Sequence, residues 1–254
     1  MSTPLTSATT EFHLRLLDRF ELRSGERVIP VTVGPQRLVT FLALHNRSLQ
    51  RGHVAGTLWP DVPTDRANAN LRASIWRIPA ACRPVIDLSL RHIKLGPDVS
   101  VDLTVAIALA QRLLDPARTC QESDLSGEAR SMLSADLVST HDDDWIMVES
   151  ERFHQLRLHA LEALCARLTA AERYGEAVDA GLAAVIGEPL RESAHRVLIK
   201  AHIAEGNLAE AGRQYNLYRR IVHDELGIEP SPSLRRLMLA MLHPRNPISL
   251  AASR

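Results

Sequence analysis

From Phe12 to Val31 the chain alternates apolar and polar side chains, FHLRLLDRFELRSGERVIPV, and breaks at Ser24–Gly25. A period of two with a turn inside it predicts a β-hairpin, or three short strands of one small sheet. The period then lengthens. A helix is expected from Pro35, where proline suits the first helical position, with Leu38, Phe41, Leu42 and His45 as its inner stripe. After a polar break at 46–52 a short helix is expected over 53–59, with Val54, Thr57 and Leu58 inward. The next stretch, TDRANANLRASIWRI over 64–78, separates into two faces at ~100° per residue. Ala67, Leu71, Ser74, Ile75 and Ile78 share an apolar arc, and Thr64 is the expected N-cap, with Pro79 as the stop. Two strands, 85–88 and 93–95, are then expected around the polar tip SLRH. Sheet, three helices and a terminal hairpin make a winged helix-turn-helix.

Residues 97–101 read as a linker, and beyond Asp102 the pattern is helical: 103–114, 128–137, 145–171, 214–226 and 234–242. Two stretches, AAERYGEA from Ala170 and AEGNLAEA from Ala204, align without a gap at a spacing of 34 residues. That is the period of a tetratricopeptide helical hairpin. Gly227 is the expected C-cap of the 214–226 helix. The fold class is therefore mainly α with a small β part. A winged helix-turn-helix domain is expected over 12–96 and an all-α tetratricopeptide-like domain over 102–243, with disordered ends at 1–11 and 244–254.

Charge sharpens this division. The chain is neutral, with thirty basic and thirty acidic residues, yet 1–96 holds thirteen basic against seven acidic and the remainder seventeen against twenty-three. A basic first part beside an acidic second part suits a nucleic-acid-binding module joined to a non-binding one. The three cysteines are scattered and lack metal spacing, so reduced thiols are expected. The start, MSTPLTSATTEF, lacks the basic and apolar regions of a signal peptide, and no apolar run reaches ~18 residues. A cytoplasmic protein is expected, without a membrane partner.

The candidate chemistry lies on the outer face of the 64–78 helix. Arg66, Ala69, Asn70, Arg72, Ala73, Trp76 and Arg77 spread over it, and its acid, Asp65, sits in the opening turn. Arginine reads the two acceptors of guanine, asparagine reads adenine, and small alanines allow close approach, so this is read as a recognition helix for the DNA major groove. Arg91, His92 and Lys94 on the hairpin are the candidates for contacts along the neighbouring minor groove or its phosphates.

Elsewhere the chain holds little. G-x-S-x-G, H-E-x-x-H, C-x-x-C and G-x-G-x-x-G are all absent. The acidic run Asp142–Asp144 lacks the spacing and glycine of a cation loop and is read as a helix N-terminus. His154, His159, His195, His202 and His223 lack ligand spacing, and Tyr174, Tyr215 and Tyr218 are read as packing residues. Neither catalysis nor a metal or cofactor is expected.

Several stretches carry a more specific signal: GPQRLVTFLAL at 34–44, LWPDVP at 58–63, ANLRASIWRI at 69–78 and VDL at 101–103. DDWIMVESERFHQLRLHALEAL at 143–164, EPLRESAHRVLIKAHIAEGNLAEAGRQY at 188–215 and DELGIEPSPSLRRL at 224–237 continue it. In these the sequence resembles the Streptomyces antibiotic regulatory protein family, with its OmpR-type winged helix-turn-helix followed by a bacterial transcriptional activator domain. The resemblance implies an activator that binds double-stranded DNA as a homodimer or as tandem copies on direct repeats. It also implies recruitment of RNA polymerase near a promoter and control of secondary-metabolite genes. Matched to the motif, Asn70, Arg72, Trp76 and Arg77 become the base-facing residues, and Arg37, Arg51 and His53 become phosphate candidates by position. The chain departs from the family where Pro79–Ala80–Ala81 replaces further basic residues, so a short recognition helix with fewer phosphate contacts is expected. The ATPase loop G-x-x-x-x-G-K-[ST] of longer relatives is missing, and no room is seen for a receiver domain. The alternative is an adaptor whose helical domain binds a protein or effector and whose winged domain does not read DNA.

Overall fold

The structure, a computed structural model, describes residues 11–138 and 143–242. The expected disordered lead and tail fall mainly outside these residues, as do His141 and Asp142 of the acidic run. Two compact units are formed: 1–108 with 135–155, and 109–134 with 156–254.

In the first unit, β1 (Phe12–Arg15), β2 (Glu21–Ser24) and β3 (Arg27–Ile29) form an antiparallel meander, the three-strand form of the hairpin expectation. The alternation holds: Phe12 and Leu14 are buried while His13 is exposed. The sheet has a fourth strand, β7 (Val99–Val101), parallel to β1. The linker expected at 97–101 is therefore corrected, since most of it is a strand. Its pairing partner lies more than eighty residues earlier, where no local pattern shows it. Just beyond, the Asp102 carboxylate accepts the backbone N–H groups of Leu16 at 2.8 Å, Leu17 at 3.1 Å and Leu103 at 2.7 Å. One acid thus stitches the end of β1 to the first turn of α4 (Asp102–Leu114).

Three helices pack over a second sheet. They are α1 (Val33–His45), α2 (Arg51–Leu58) and α3 (Thr64–Trp76). The second sheet has the order β4 (Leu49–Gln50), β6 (His92–Leu95), β5 (Ile86–Leu88). β4 lies inside the break at 46–52 and was not expected, because two residues carry no periodicity. Leu38, Phe41, Leu42, Val54, Leu58, Leu71, Val85 and Ile93 form the core, and full burial of each such side chain stabilises the unit by roughly 1.5–3 kcal/mol. Gly96 is required where the hairpin rejoins, since a Cβ there would lie 2.0 Å from the Pro84 carbonyl oxygen.

Residues 135–155 join this unit although they follow α5 (Gly127–Ser134) in the chain. The helix expected over 128–137 stops at Ser134, and Leu137 then bridges to Leu17. Asp18 N–H donates to Asp136 O at 2.7 Å and Val138 N–H to Leu16 O at 2.8 Å. From the first turns of α6 (Asp144–Ala170), Trp145 sets its ring edge-on to Phe41 at 5.1 Å.

The second unit is helical: the end of α4, a 3-10 turn (Glu122–Leu125), α5, the rest of α6, α7 (Tyr174–Gly187), α8 (Glu192–Glu205), α9 (Leu208–Leu226) and α10 (Pro232–Leu242). Ala160, Ala177, Ala180, Ala184, Ala194 and Ala201 are all fully buried, which lets the helices approach closely. The 34-residue spacing appears in the turns. Glu172 (φ 59°) and Gly206 (φ 89°) are both left-handed residues, 34 apart, ending α6 and α8. Gly227 (φ 68°) caps α9 as expected.

His195 is fully buried. Its Nε2 lies 2.9 Å from Pro189 O, its Nδ1 2.8 Å from the Gln214 amide, and its ring 4.5 Å from that of Tyr218. Burial holds its pKa below the usual histidine value, so it serves as a neutral packing residue. Tyr218 is likewise buried.

Candidate nucleic-acid interface

α3 is positioned by α1 and α2 so that one face is committed to the core. Ala67, Leu71 and Ser74 are buried, as is Ile78 just beyond the helix, while Ile75 is half-buried. Asp65, Ala69, Arg72 and Trp76 form the stripe opposite, and Arg66, Asn70, Ala73 and Arg77 the stripe beside it. Arg66, Arg72, Trp76 and Arg77 are exposed and Asn70 is half-buried. Among the described residues, no carboxylate pairs with Arg66, Arg72 or Arg77. Unpaired guanidinium groups on a helix about 20 Å long leave a cationic face whose hydrogen-bond donors are open.

Two details of the helix differ from expectation. Thr64 is its first residue, without a capping bond, and Pro63 is the N-cap, because its carbonyl already accepts Ala67 N–H at 2.9 Å. The helix ends at Trp76, with Arg77 as C-cap. The missing basic extension is partly made good by a residue the sequence reading passed over. After Pro79 the chain makes a 3-10 turn (Ala80–Val85) that brings the Arg83 guanidinium to 5.6 Å from the Trp76 indole centroid. A guanidinium is thereby set over an indole that is 77% exposed. An arginine next to a proline gives no local sign of that return.

The hairpin β5–β6 carries the other candidates. Arg91, His92 and Lys94 are all exposed. Lys94 pairs across the ladder with Asp87 at 3.2 Å, so part of its charge is offset, whereas Arg91 and His92 stand at the apex. Ser89 N–H donates to His92 O at 3.0 Å, and His92 N–H to Ser89 Oγ at 3.1 Å. Arg51 N–H, at the start of α2, donates to Arg91 O at 2.9 Å. The apex is thus tied to the helix-turn-helix itself. Ile75, Trp76 and Ile78 share a groove of about 270 Å³ with Arg83, Ile86 and Leu88, which sets the hairpin beside the C-terminal end of α3.

The phosphate candidates part company. His53 is exposed and Arg51 half-buried on α2. Arg37 differs from both: its guanidinium makes a two-pronged pair with Asp143, with Nε 2.6 Å from Oδ2, and lies 5.9 Å from the Trp59 ring centroid. It is an ion pair within the first unit, so its charge is answered by Asp143. Its partner is 106 residues away, beyond the reach of positional reasoning.

Among the described residues, no group of three or more His, Cys, Asp or Glu could hold a metal, and no helix is long and apolar enough to cross a membrane. Cys82 and Cys165 are buried, and burial pushes the Cys165 thiol up to about 11.

A helix-turn-helix with an adjoining hairpin, followed by stacked helical hairpins, defines the class: a winged helix-turn-helix protein with a tetratricopeptide-like domain. Residues 101–242 match the family model of the bacterial transcriptional activator domain, more than half of the chain, and the chain belongs to that family of transcriptional regulators. It is 26% identical over 232 residues to the regulatory protein AfsR of Streptomyces coelicolor (strain ATCC BAA-471 / A3(2) / M145), covering 87% of this chain and 23% of that protein. To the regulatory protein AfsR of Streptomyces griseus it is 24% identical over 210 residues, covering 81% and 22%. The chain thus spans less than a quarter of the length of these relatives, and the likeness bears out the resemblance to the Streptomyces antibiotic regulatory proteins. The fold is shared with Mycobacterium tuberculosis EmbR, solved in complex with a low affinity phosphopeptide, at a TM-score of 0.72 and 19% identity, over 93% of this chain and 66% of that one.

Proposed function

We propose that the protein is a sequence-specific DNA-binding transcriptional activator that reads double-stranded DNA with the outer face of α3. The observation that carries this reading is the open cationic face: Arg66, Arg72 and Arg77 exposed without acidic partners among the described residues, on a helix whose opposite side is sealed into the core. Arg72, Arg77 and Asn70 are the base-reading residues, Trp76 lies against the groove edge, and Arg66 meets the backbone. Arg91 and His92 of the hairpin, with Arg51 and His53 on α2, take phosphate and sugar contacts. Lys94 contributes less, since Asp87 answers its charge.

In the same reading, two copies sit on direct repeats near a promoter, and the helical unit contacts a second copy or RNA polymerase. The regulated genes are a secondary-metabolite cluster, and the protein works in the cytoplasm on the nucleoid. Selection by the full chain from a random-sequence duplex pool at low salt tests the core of this. A defined motif is expected, and protection of a repeated copy of it in footprints supports tandem binding. Enrichment of no motif overturns the proposal.

A second reading, an adaptor that docks a protein on the winged unit, draws on the apolar groove at Trp76 and Leu88. It is favoured if the selection fails while the protein captures a defined peptide through that groove.

A further inference from the structure

The apex of the β5–β6 hairpin holds a residue that neither folding nor turn chemistry explains. Leu90 is 90% exposed. Turns of this kind favour glycine, proline, asparagine and aspartate, and single leucines on a surface are ordinary. Three features set this one apart. Its turn is closed at both ends by the Ser89–His92 hydrogen bonds. The turn is anchored by Arg51 N–H on Arg91 O to the start of α2, so the leucine is held out from the helix-turn-helix. The next two residues along the chain are the exposed Arg91 and His92, while the neighbouring acid, Asp87, is taken up by Lys94. The result is an apolar tip beside one guanidinium, unpaired among the described residues, and an imidazole.

We infer that Leu90 is a wedge for the minor groove, inserted between base pairs of a flexible A·T-containing step beside the site read by α3. This rests on the DNA-binding reading above. The chemistry fits one occupant. The minor groove is lined by phosphates that attract the Arg91 guanidinium and can accept a hydrogen bond from the His92 ring, and A·T tracts deepen that potential. A small apolar side chain entering there unstacks a base step and kinks the duplex, and pyrimidine–purine steps yield most readily. Arg72 and Arg77 carry readout in the major groove; Leu90 adds a preference for deformable sequence at a position no hydrogen bond reads.

The test uses the full chain and a duplex that the wild-type protein enriches from a random pool. Copies of that duplex carry 2-aminopurine in place of single adenines along the flanks, so that unstacking is read as a rise in fluorescence. Wild type and Leu90→Met are expected to raise fluorescence at one or two flanking steps. Leu90→Ala is expected to abolish the rise and to bind about 10-fold more weakly, with base preferences under α3 unchanged. Circular dichroism melts check that the variants fold, and Leu90→Ser repeats the measurement if Leu90→Ala does not. Equal affinity and equal fluorescence for Leu90→Ala overturn the wedge. So does weaker binding with the fluorescence rise intact, which would mark Leu90 as a contact and not an intercalating side chain. If wild type enriches no duplex, the DNA-binding reading fails first, and the wedge falls with it.

Discussion

Replacing Arg72 with alanine separates the reading face from the fold. Arg72 sits on the stripe of α3 opposite the buried one and has no carboxylate partner among the described residues. Alanine has at least as high a helix propensity as arginine, so the stability change is expected within about 0.5 kcal/mol. Binding has more to lose. A bidentate arginine–guanine contact is worth about 1–3 kcal/mol of discrimination, which is a loss of roughly 5- to 150-fold in affinity. Fluorescence anisotropy on the selected duplex, and on copies carrying each base at each position, gives the assay. The expected result is a loss confined to one or two positions, where Arg72→Ala becomes indifferent to base identity. A uniform loss on every duplex, with the slope of log affinity against log salt falling in magnitude by about 0.9, would instead make Arg72 a phosphate contact. An unchanged affinity on all duplexes, with a normal melting curve, refutes the reasoning.

Three further outcomes follow from the geometry. Asp102→Ala removes three backbone hydrogen bonds made by one carboxylate and is expected to destabilise the protein by about 2–4 kcal/mol in urea titrations; Asp102→Asn recovers part of this. Arg37→Ala leaves Asp143 half-buried without its partner, so about 1–3 kcal/mol of stability is lost while the salt slope of DNA binding stays unchanged. A changed slope with unchanged stability would restore the phosphate role. His195, held neutral by burial, stabilises the fold fully above its unfolded pKa of about 6.5. That contribution is lost as pH falls below it, because the unfolded chain then binds the proton more readily. Melting temperatures of wild type are expected to drop between pH 7.5 and 5.5, and His195→Gln to show a shallower drop. His202, also lowered by burial, acts in the same direction.

Much of this architecture was legible in the sequence because its signals are local. The period of two at Phe12 and Leu14, the apolar arc Ala67–Leu71–Ser74 and the 34-residue spacing of Glu172 and Gly206 are all fixed by nearest neighbours along the chain. What escaped is long-range. β7 exists because β1 lies beside it, and Asp102 is informative only once Leu16 and Leu17 are known to point at it. Residues 135–155 belong with the winged unit through Leu137, Asp143 and Trp145, whose partners Leu17, Arg37 and Phe41 lie about 104–120 residues earlier. The same limit shaped the site. Exposure of Arg66, Arg72, Trp76 and Arg77 followed from helical phase, whereas the pairing of Arg37 and the return of Arg83 to Trp76 depend on how separate segments fold together.

The claim that the outer face of α3 meets base edges is tested most directly by a cleavage reagent tethered to that face. Ala69 is exposed between Arg66 and Arg72, and Ala69→Cys in a Cys120→Ser background gives a single accessible thiol, since Cys82 and Cys165 are buried. Tethered iron–EDTA at that position is predicted to cut within the selected motif, in the pattern of a source lying in the major groove. Cleavage no stronger inside the motif than outside it, under conditions where the conjugate remains bound, would contradict the account.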